Sequence, residues 1–231
     1  MTAASGGVPP ADCPLCPRLA QYRCDNRSAH PDWFNAPVPS FGRLDARLLI
    51  VGLAPGVRGA NRTGRPFTGD FAGELLYRTL LAFGLATGRY LADPDDGLTL
   101  ADCRVTNAVR CVPPANLPTP LEVGTCNGFL AAEIAAMPRL GGLLALGGTA
   151  HNAVLRAHGL RPARTPFRHG AIHALPGERL LADSYHVSRL NTNTGRLTEA
   201  MFQAVVRDLL DRLAAPAPPP RPSPAARESG C

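Results

Sequence analysis

The chain has 231 residues, 45% of them apolar, and a formal charge of +6 with an isoelectric point near 9.2. That length and apolar fraction suit one large globular domain with its own core, and the basic balance favours an acidic partner, nucleic acid first among them. All 24 basic residues are arginine, so no lysine is available for a Schiff base or a Walker-type phosphate loop, which excludes pyridoxal enzymes and P-loop nucleotidases.

Residues 1–11 are small and polar with Pro9-Pro10, and a flexible start is expected. Residues 13–47 lack clear periodicity and hold Pro31, Pro37 and Pro39. Irregular structure is expected there, with one short helix around Cys16–Cys24. Leu48-Leu49-Ile50-Val51-Gly52 is a continuous apolar run ending in glycine, the pattern of a buried parallel strand. The loop from Leu53 to Gly69 is rich in Gly, Asn, Arg and Pro. Asp70 then precedes an amphipathic helix with Leu75, Leu76, Thr79, Leu80 and Phe83 on one face. Cys103 to Val109 reads as a second strand, and 111–118 as a proline-rich loop. Thr119 is a helix cap with Pro120 at the first helical position, opening a helix to about Met137. Leu143 to Gly147 is a third strand, and Thr149 starts another helix. Ile172–Leu175 and Leu180–Ser184 look like a hairpin or a pair of edge strands. Residues 186–197 form a polar loop, and Thr198–Leu213 a final amphipathic helix. The proline-rich residues 214–231 read as a disordered tail. Alternating strand and helix imply an α/β fold with a largely parallel central sheet. Ligands bind such sheets at the carboxyl ends of the strands, which brings the loops after Gly52, Asn107, Gly147 and Ser184 together.

No apolar run reaches the length of a membrane span and no export signal is visible, so no membrane partner and a cytoplasmic location are expected. In a reducing compartment the seven cysteines read as metal ligands or buried thiols before disulfides. Cys13-x2-Cys16 and Cys111-x14-Cys126 have the layout of a four-thiolate site. Zinc and an iron–sulfur cluster both accept four thiolates, and spacing does not decide between them, although the x14 gap does not suit a compact zinc ribbon. Cys24 and Cys103 look like spares, and Cys231 is terminal, in the expected tail.

The loop 52–70 reads Gly-Leu-Ala-Pro-Gly-Val-Arg-Gly-Ala-Asn-Arg-Thr-Gly-Arg-Pro-Phe-Thr-Gly-Asp. The later loop reads His186-Val-Ser-Arg-Leu-Asn-Thr-Asn-Thr-Gly195-Arg-Leu. With the four cysteines, these segments closely resemble the iron–sulfur uracil-DNA glycosylases, specifically the family-5 branch, over residues 12–213. The resemblance implies a three-layer α/β/α fold around a central, mostly parallel four-stranded sheet. It also implies a 4Fe-4S cluster and removal of damaged bases from DNA. The better-known family-4 enzymes carry a glutamate directly after the first glycine of Gly-x-Ala-Pro-Gly. Here that position is Leu53, so the acid that handles water must come from elsewhere. The family-5 branch shares this gap and is implied to act on a broader base range, deaminated purines included.

Chemistry can then be assigned to individual residues. Gly52, Leu53, Ala54 and Gly56 form a tight loop whose backbone N–H groups can bind a phosphate or base carbonyl oxygens. Phe67 could stack on a base flipped out of the helix, or be a core phenylalanine under the loop. Asn107 offers donor and acceptor to a Watson–Crick edge, or caps a turn at the strand end. Asp70 could stabilise an oxocarbenium-like state and orient water, or serve only as a helix cap. Asn116 is a second candidate to position water. His186 could donate a hydrogen bond to the departing base, or anchor its loop. Arg189, Leu190, Asn191, Asn193 and Arg196 suit a minor-groove contact, with arginines on phosphates and Leu190 as a wedge. The other histidines, His30, His151, His158, His169 and His173, have no motif context. The expectation is a DNA glycosylase that hydrolyses the N-glycosidic bond of uracil and other damaged bases, acting as a monomer. Without lysine it should not cut the strand. The alternative is a non-catalytic iron–sulfur or zinc nucleic-acid-binding module.

Overall fold

The structure, a computed structural model, describes residues 7–215. Most of the expected proline-rich tail, 216–231, and residues 1–6 lie outside the described residues. The start of the chain is held earlier than expected: Gly7 and Pro9 are buried.

The chain opens with helix α1 (Pro17–Ala29), strand β1 (Leu48–Gly52), a one-turn helix α2 (Ala60–Thr63) and helix α3 (Phe71–Ala82). Short strands β2 (Ala86–Thr87) and β3 (Thr99–Leu100) form a separate antiparallel ribbon. Then come β4 (Cys103–Asn107), α4 (Pro120–Ala135), β5 (Gly142–Leu146) and α5 (Gly148–Ala157). The described residues end with β6 (Ile172–Leu175), β7 (Arg179–Ser184), α6 (Arg189–Asn193) and α7 (Glu199–Ala214).

The main sheet has the order β4-β1-β5-β7-β6. The first four strands are parallel, and β6 runs antiparallel to β7 at the edge. The expected count of four strands is corrected to five, because the β6–β7 hairpin joins the sheet whole. The apolar run of β1 needs two cores, since successive side chains point to opposite faces. Leu49 and Val51 join α1, α4 and α5 in one core, with Leu19, Leu130 and Val154. Leu48 and Ile50 join α3 and α7 in the other, with Leu76, Leu80 and Phe202. Truncating a fully buried leucine such as Leu80 should cost about 2–5 kcal/mol.

Two helix starts behave as their sequences require. Thr119 accepts from the Glu122 N–H at 3.3 Å, and the Glu122 carboxylate accepts from the Thr119 N–H at 2.7 Å, a closed capping box. Asp70 caps α3 through the Ala72 N–H. Two other segments differ from expectation. Helix α1 is longer than expected. Its apolar residues form no stripe, and it is fixed instead by the buried Leu19, Arg23 and Asn26. The polar loop 186–197 contains α6, started by the Ser188 hydroxyl on the Asn191 N–H.

Candidate active site and cysteine cluster

Parallel register sets Gly52 beside Asn107 at the carboxyl ends of β1 and β4. Asn107 is 3% exposed, and its Oδ1 has no hydrogen-bond partner among the described residues. A Cβ at position 52 would run into that oxygen and into the Phe67 ring, so only glycine permits this approach. Phe67 is buried with φ +54°. Its ring centroid lies 6.1 Å from that of His186, with the planes 30° apart.

Asp70 faces two ways. Its Oδ1 accepts from the Ala72 N–H at 3.2 Å, and a Cβ at Gly56 would lie 2.9 Å from its Oδ2. One oxygen therefore caps α3 while the other looks into the 52–59 loop. Burial raises its pKa above the ordinary carboxylate value, opposed by the Gly73 and Ala72 amides. Burial lowers the pKa of His186 to about 4, so the imidazole is neutral at pH 7 and carries one N–H. Its backbone carbonyl accepts from the Asn191 amide at 2.8 Å.

These groups line one small cavity, bounded by the 54–56 loop, Phe67, Asp70, Asn107 and His186. It opens into a wider mouth, where Leu53, Asn116 and Arg189 join them. Asn116 reaches the rim from a strained turn, with Ala115 and Asn116 both left-handed at φ +53° and +56°. Leu190 is 73% exposed beside it in sequence to Arg189, whose guanidinium lies 5.3 Å from the Phe71 ring centroid. Asn193 and Arg196 are exposed but do not line the pocket. Asn191 donates one amide N–H to the His186 carbonyl, which ties this segment to the pocket.

Cys13, Cys16, Cys111 and Cys126 line a second, shallow depression, together with Pro9, Leu19 and Phe129. Among the described residues no three of these sulfurs come within 4.8 Å of one another. Four thiolates on a single zinc ion at about 2.3 Å would sit about 3.8 Å apart. The four sulfurs therefore stand wider apart than ligands closed on a single zinc ion. Donors already face the sulfurs: the Arg110 N–H at 3.4 Å from Cys126 Sγ and the buried Arg23 guanidinium at 3.7 Å from Cys111 Sγ. Burial pushes the Cys16 thiol up to about 11 and the Cys111 thiol up to about 12, so these groups need a cationic partner to ionise. Cys24 is exposed and Cys103 is buried in β4, both away from these four.

Two buried networks were not visible to motif reading. Arg65 forks onto Asp96 with both contacts at 2.8 Å and sits among Phe41, Tyr77 and Tyr90. Tyr77 donates to the Pro66 carbonyl at 2.5 Å and Tyr90 to that of Phe67 at 3.1 Å. That cage holds Phe67 in its left-handed conformation. The only advance signal was the arginine two residues before an aromatic. The second network joins His151 Nδ1 to Asp183 Oδ1 at 2.7 Å and His173 Nε2 to Asp183 Oδ2 at 2.9 Å. His151 Nε2 meets the Thr165 carbonyl at 2.7 Å. It anchors the end of β7, directly before His186.

The description "Uracil DNA glycosylase superfamily" matches residues 39–210. The chain is 47% identical over 202 residues to a type-5 uracil-DNA glycosylase of Thermus thermophilus, covering 85% of this chain and 91% of that protein. It is 42% identical over 222 residues to a type-5 uracil-DNA glycosylase of Mycobacterium leprae, covering 90% and 96%. A type-4 uracil-DNA glycosylase of Thermotoga maritima is 34% identical over 154 residues, covering 66% and 70%. The type-5 proteins match more of the chain at higher identity, and with the superfamily match spanning both β1 and β7, the chain belongs to the uracil DNA glycosylase superfamily, in its type-5 branch.

Proposed function

We propose that this protein is a DNA glycosylase that removes uracil, and other deaminated bases, by hydrolysing the bond between base and deoxyribose. The observation that carries the reading is Asn107: a buried amide oxygen without a partner, in a slot between an aromatic ring and a neutral histidine. A flipped pyrimidine would supply the missing donor through its ring N–H, while Phe67 covers its face. The names of the type-5 relatives agree with uracil as the substrate.

The chemistry follows from the two titratable groups. As the C1′–N bond stretches, positive charge develops on the sugar and negative charge on the base. Asp70 Oδ2 stabilises the cation and takes a proton from the attacking water, whose oxygen bonds to C1′. The electron pair leaves with the base, and the His186 N–H hydrogen-bonds the resulting anion. A neutral histidine suits this role, since it donates without having to surrender a full proton. Asn116 at the rim helps hold the water. Leu53 contributes no acid, and among the described residues Asp70 is the only carboxylate lining either cavity.

Cys13, Cys16, Cys111 and Cys126 would hold a 4Fe-4S cluster, whose part is structural: it clamps the N-terminal segment to the loop before α4. Arg189 and Leu190 would meet the duplex, the arginine on phosphate and the leucine as a wedge. The protein would work as a monomer. Duplexes with a single uracil, hypoxanthine, xanthine or etheno adduct test the reading. Uracil strands should break only after alkali, because no lysine can form an imine. A protein that binds all duplexes and cleaves none would be the binding module instead.

A further inference from the structure

The segment between α5 and β6 carries Arg161, Arg164 and Arg168, all exposed. Among the described residues none of them has a carboxylate within 4.0 Å. Such a segment would ordinarily move to relieve its own repulsion. Here its backbone is tied down. The Thr165 carbonyl accepts from His151 Nε2, and the Arg168 N–H donates to Asp183 Oδ2 at 3.2 Å. His169 Nδ1 accepts from the Tyr185 N–H at 3.1 Å, and the two rings stack with centroids 4.7 Å apart.

These ties also say where the segment stands. A Cβ at Gly148 would meet the Phe167 ring at 3.8 Å, and one at Gly147 the Cβ of His186 at 3.6 Å. The segment is therefore at the carboxyl edge of the sheet, beside the pocket. The Arg196 guanidinium lies 4.6 Å from the centroid of the same Tyr185 ring that His169 stacks on. Tyr185 thus joins the 164–169 segment and the 189–196 segment into one basic surface.

We propose that Arg164 and Arg168, with Arg196 beside them, are a second phosphate-contact surface that grips the DNA strand flanking the extruded nucleotide. The proposal rests on the DNA-glycosylase reading above and adds to it a binding surface separate from the pocket rim. A rigid backbone presenting unpaired guanidinium groups binds phosphates with little ordering cost, and each contact releases condensed counterions.

The test is DNA affinity against salt for the full protein with its metal site filled. Arg164→Gln with Arg168→Gln should make the slope of log affinity against log salt shallower by about two and weaken binding roughly tenfold at physiological salt. Single-turnover excision at saturating protein should stay at wild-type rate, and the melting temperature should not move. The control is Arg43→Gln with Arg139→Gln, which removes two exposed arginines near Asp45 and Asp102, at the opposite end of the strands. It should leave the slope unchanged. An unaltered slope in the first variant, or an equal loss in the control, overturns the proposal. Absence of uracil excision by wild-type protein, with the slope change present, would instead remove the glycosylase reading and leave the phosphate surface standing.

Discussion

Asp70 performs two jobs through two oxygens, and one substitution separates them. Asparagine is as good an N-cap as aspartate, so Asp70→Asn should keep α3 and DNA affinity intact. Single-turnover excision should fall roughly 100-fold or more, the scale of one electrostatic or general-base group. A rate within a few-fold of wild type would reduce Asp70 to a cap. The same substitution should raise stability at neutral pH. A carboxyl whose folded pKa lies above its unfolded value destabilises the fold once ionised, and the amide cannot ionise. His186 gives a second check. With its pKa lowered to about 4, it stays neutral through the usual assay range. The acid limb of the single-turnover profile should therefore report a carboxyl titrating above its ordinary range, and no step should appear near pH 6.5. A limb centred on pH 6.5 that vanishes in His186→Asn would contradict a neutral donor.

At the scale of elements, the loop between α2 and α3 acts as a rigid piece because Arg65 and Asp96 hold it from behind. Asp96 is held well below the ordinary carboxylate range, first by the Arg65 bond, with the Leu91 and Leu98 amides adding to it. Tyr90→Phe removes only the hydroxyl that meets the Phe67 carbonyl. It should cost about 1 kcal/mol of stability and slow excision more than it weakens binding, since it loosens the ring under the base. Equal losses in rate and affinity would mean the tyrosine serves folding alone. The β7 anchor predicts a pH effect. His151 has acceptors on both ring nitrogens, and its bonds to Asp183 and the Thr165 carbonyl outweigh burial and raise its pKa. Its contribution is complete below the unfolded value of about 6.5 and is lost as pH rises through the folded value. The melting-temperature gap between wild type and Asp183→Asn should narrow as pH climbs from about 6.5. A gap constant from pH 6 to 9 would show that His151 does not change protonation across that range.

For the whole molecule, the four cysteines would join the N-terminal segment to the parallel sheet once their metal group is bound. Arg18 reinforces this joint by forking onto Glu122 at 2.8 and 2.7 Å, across from α1 to the capping box of α4. Purified without oxidant, the protein should be yellow-brown with about four irons per chain, and Cys111→Ala should lose colour and solubility together. A colourless, fully active protein with one zinc would overturn the iron–sulfur assignment.

How much of this was legible in the chain follows from the range of each interaction. The strand of residues 48–52, the caps at Asp70 and Thr119 and the four-cysteine layout are local or motif-borne signals. They depend on periodicity, on side chains one turn away, or on fixed spacing, so they could be read in order along the sequence. Most pocket residues were legible for the same reason, because they lie in the continuous loops 52–70 and 186–197, whereas Asn107 and Asn116 come from the end of β4 and the loop after it. What the tertiary structure alone decided are contacts with no periodicity to announce them. Parallel register put Gly52 against Asn107 and left that amide without a partner. Asp96 met Arg65 from 31 residues away, and Asp183 met His151 from 32. The fifth strand entered the sheet because β7 paired with β5 and carried β6 with it. Sequence records which groups are available, whereas burial decides which of them must find one another, since an unpaired charge or amide inside the protein costs more than the chain entropy of bringing its partner to it.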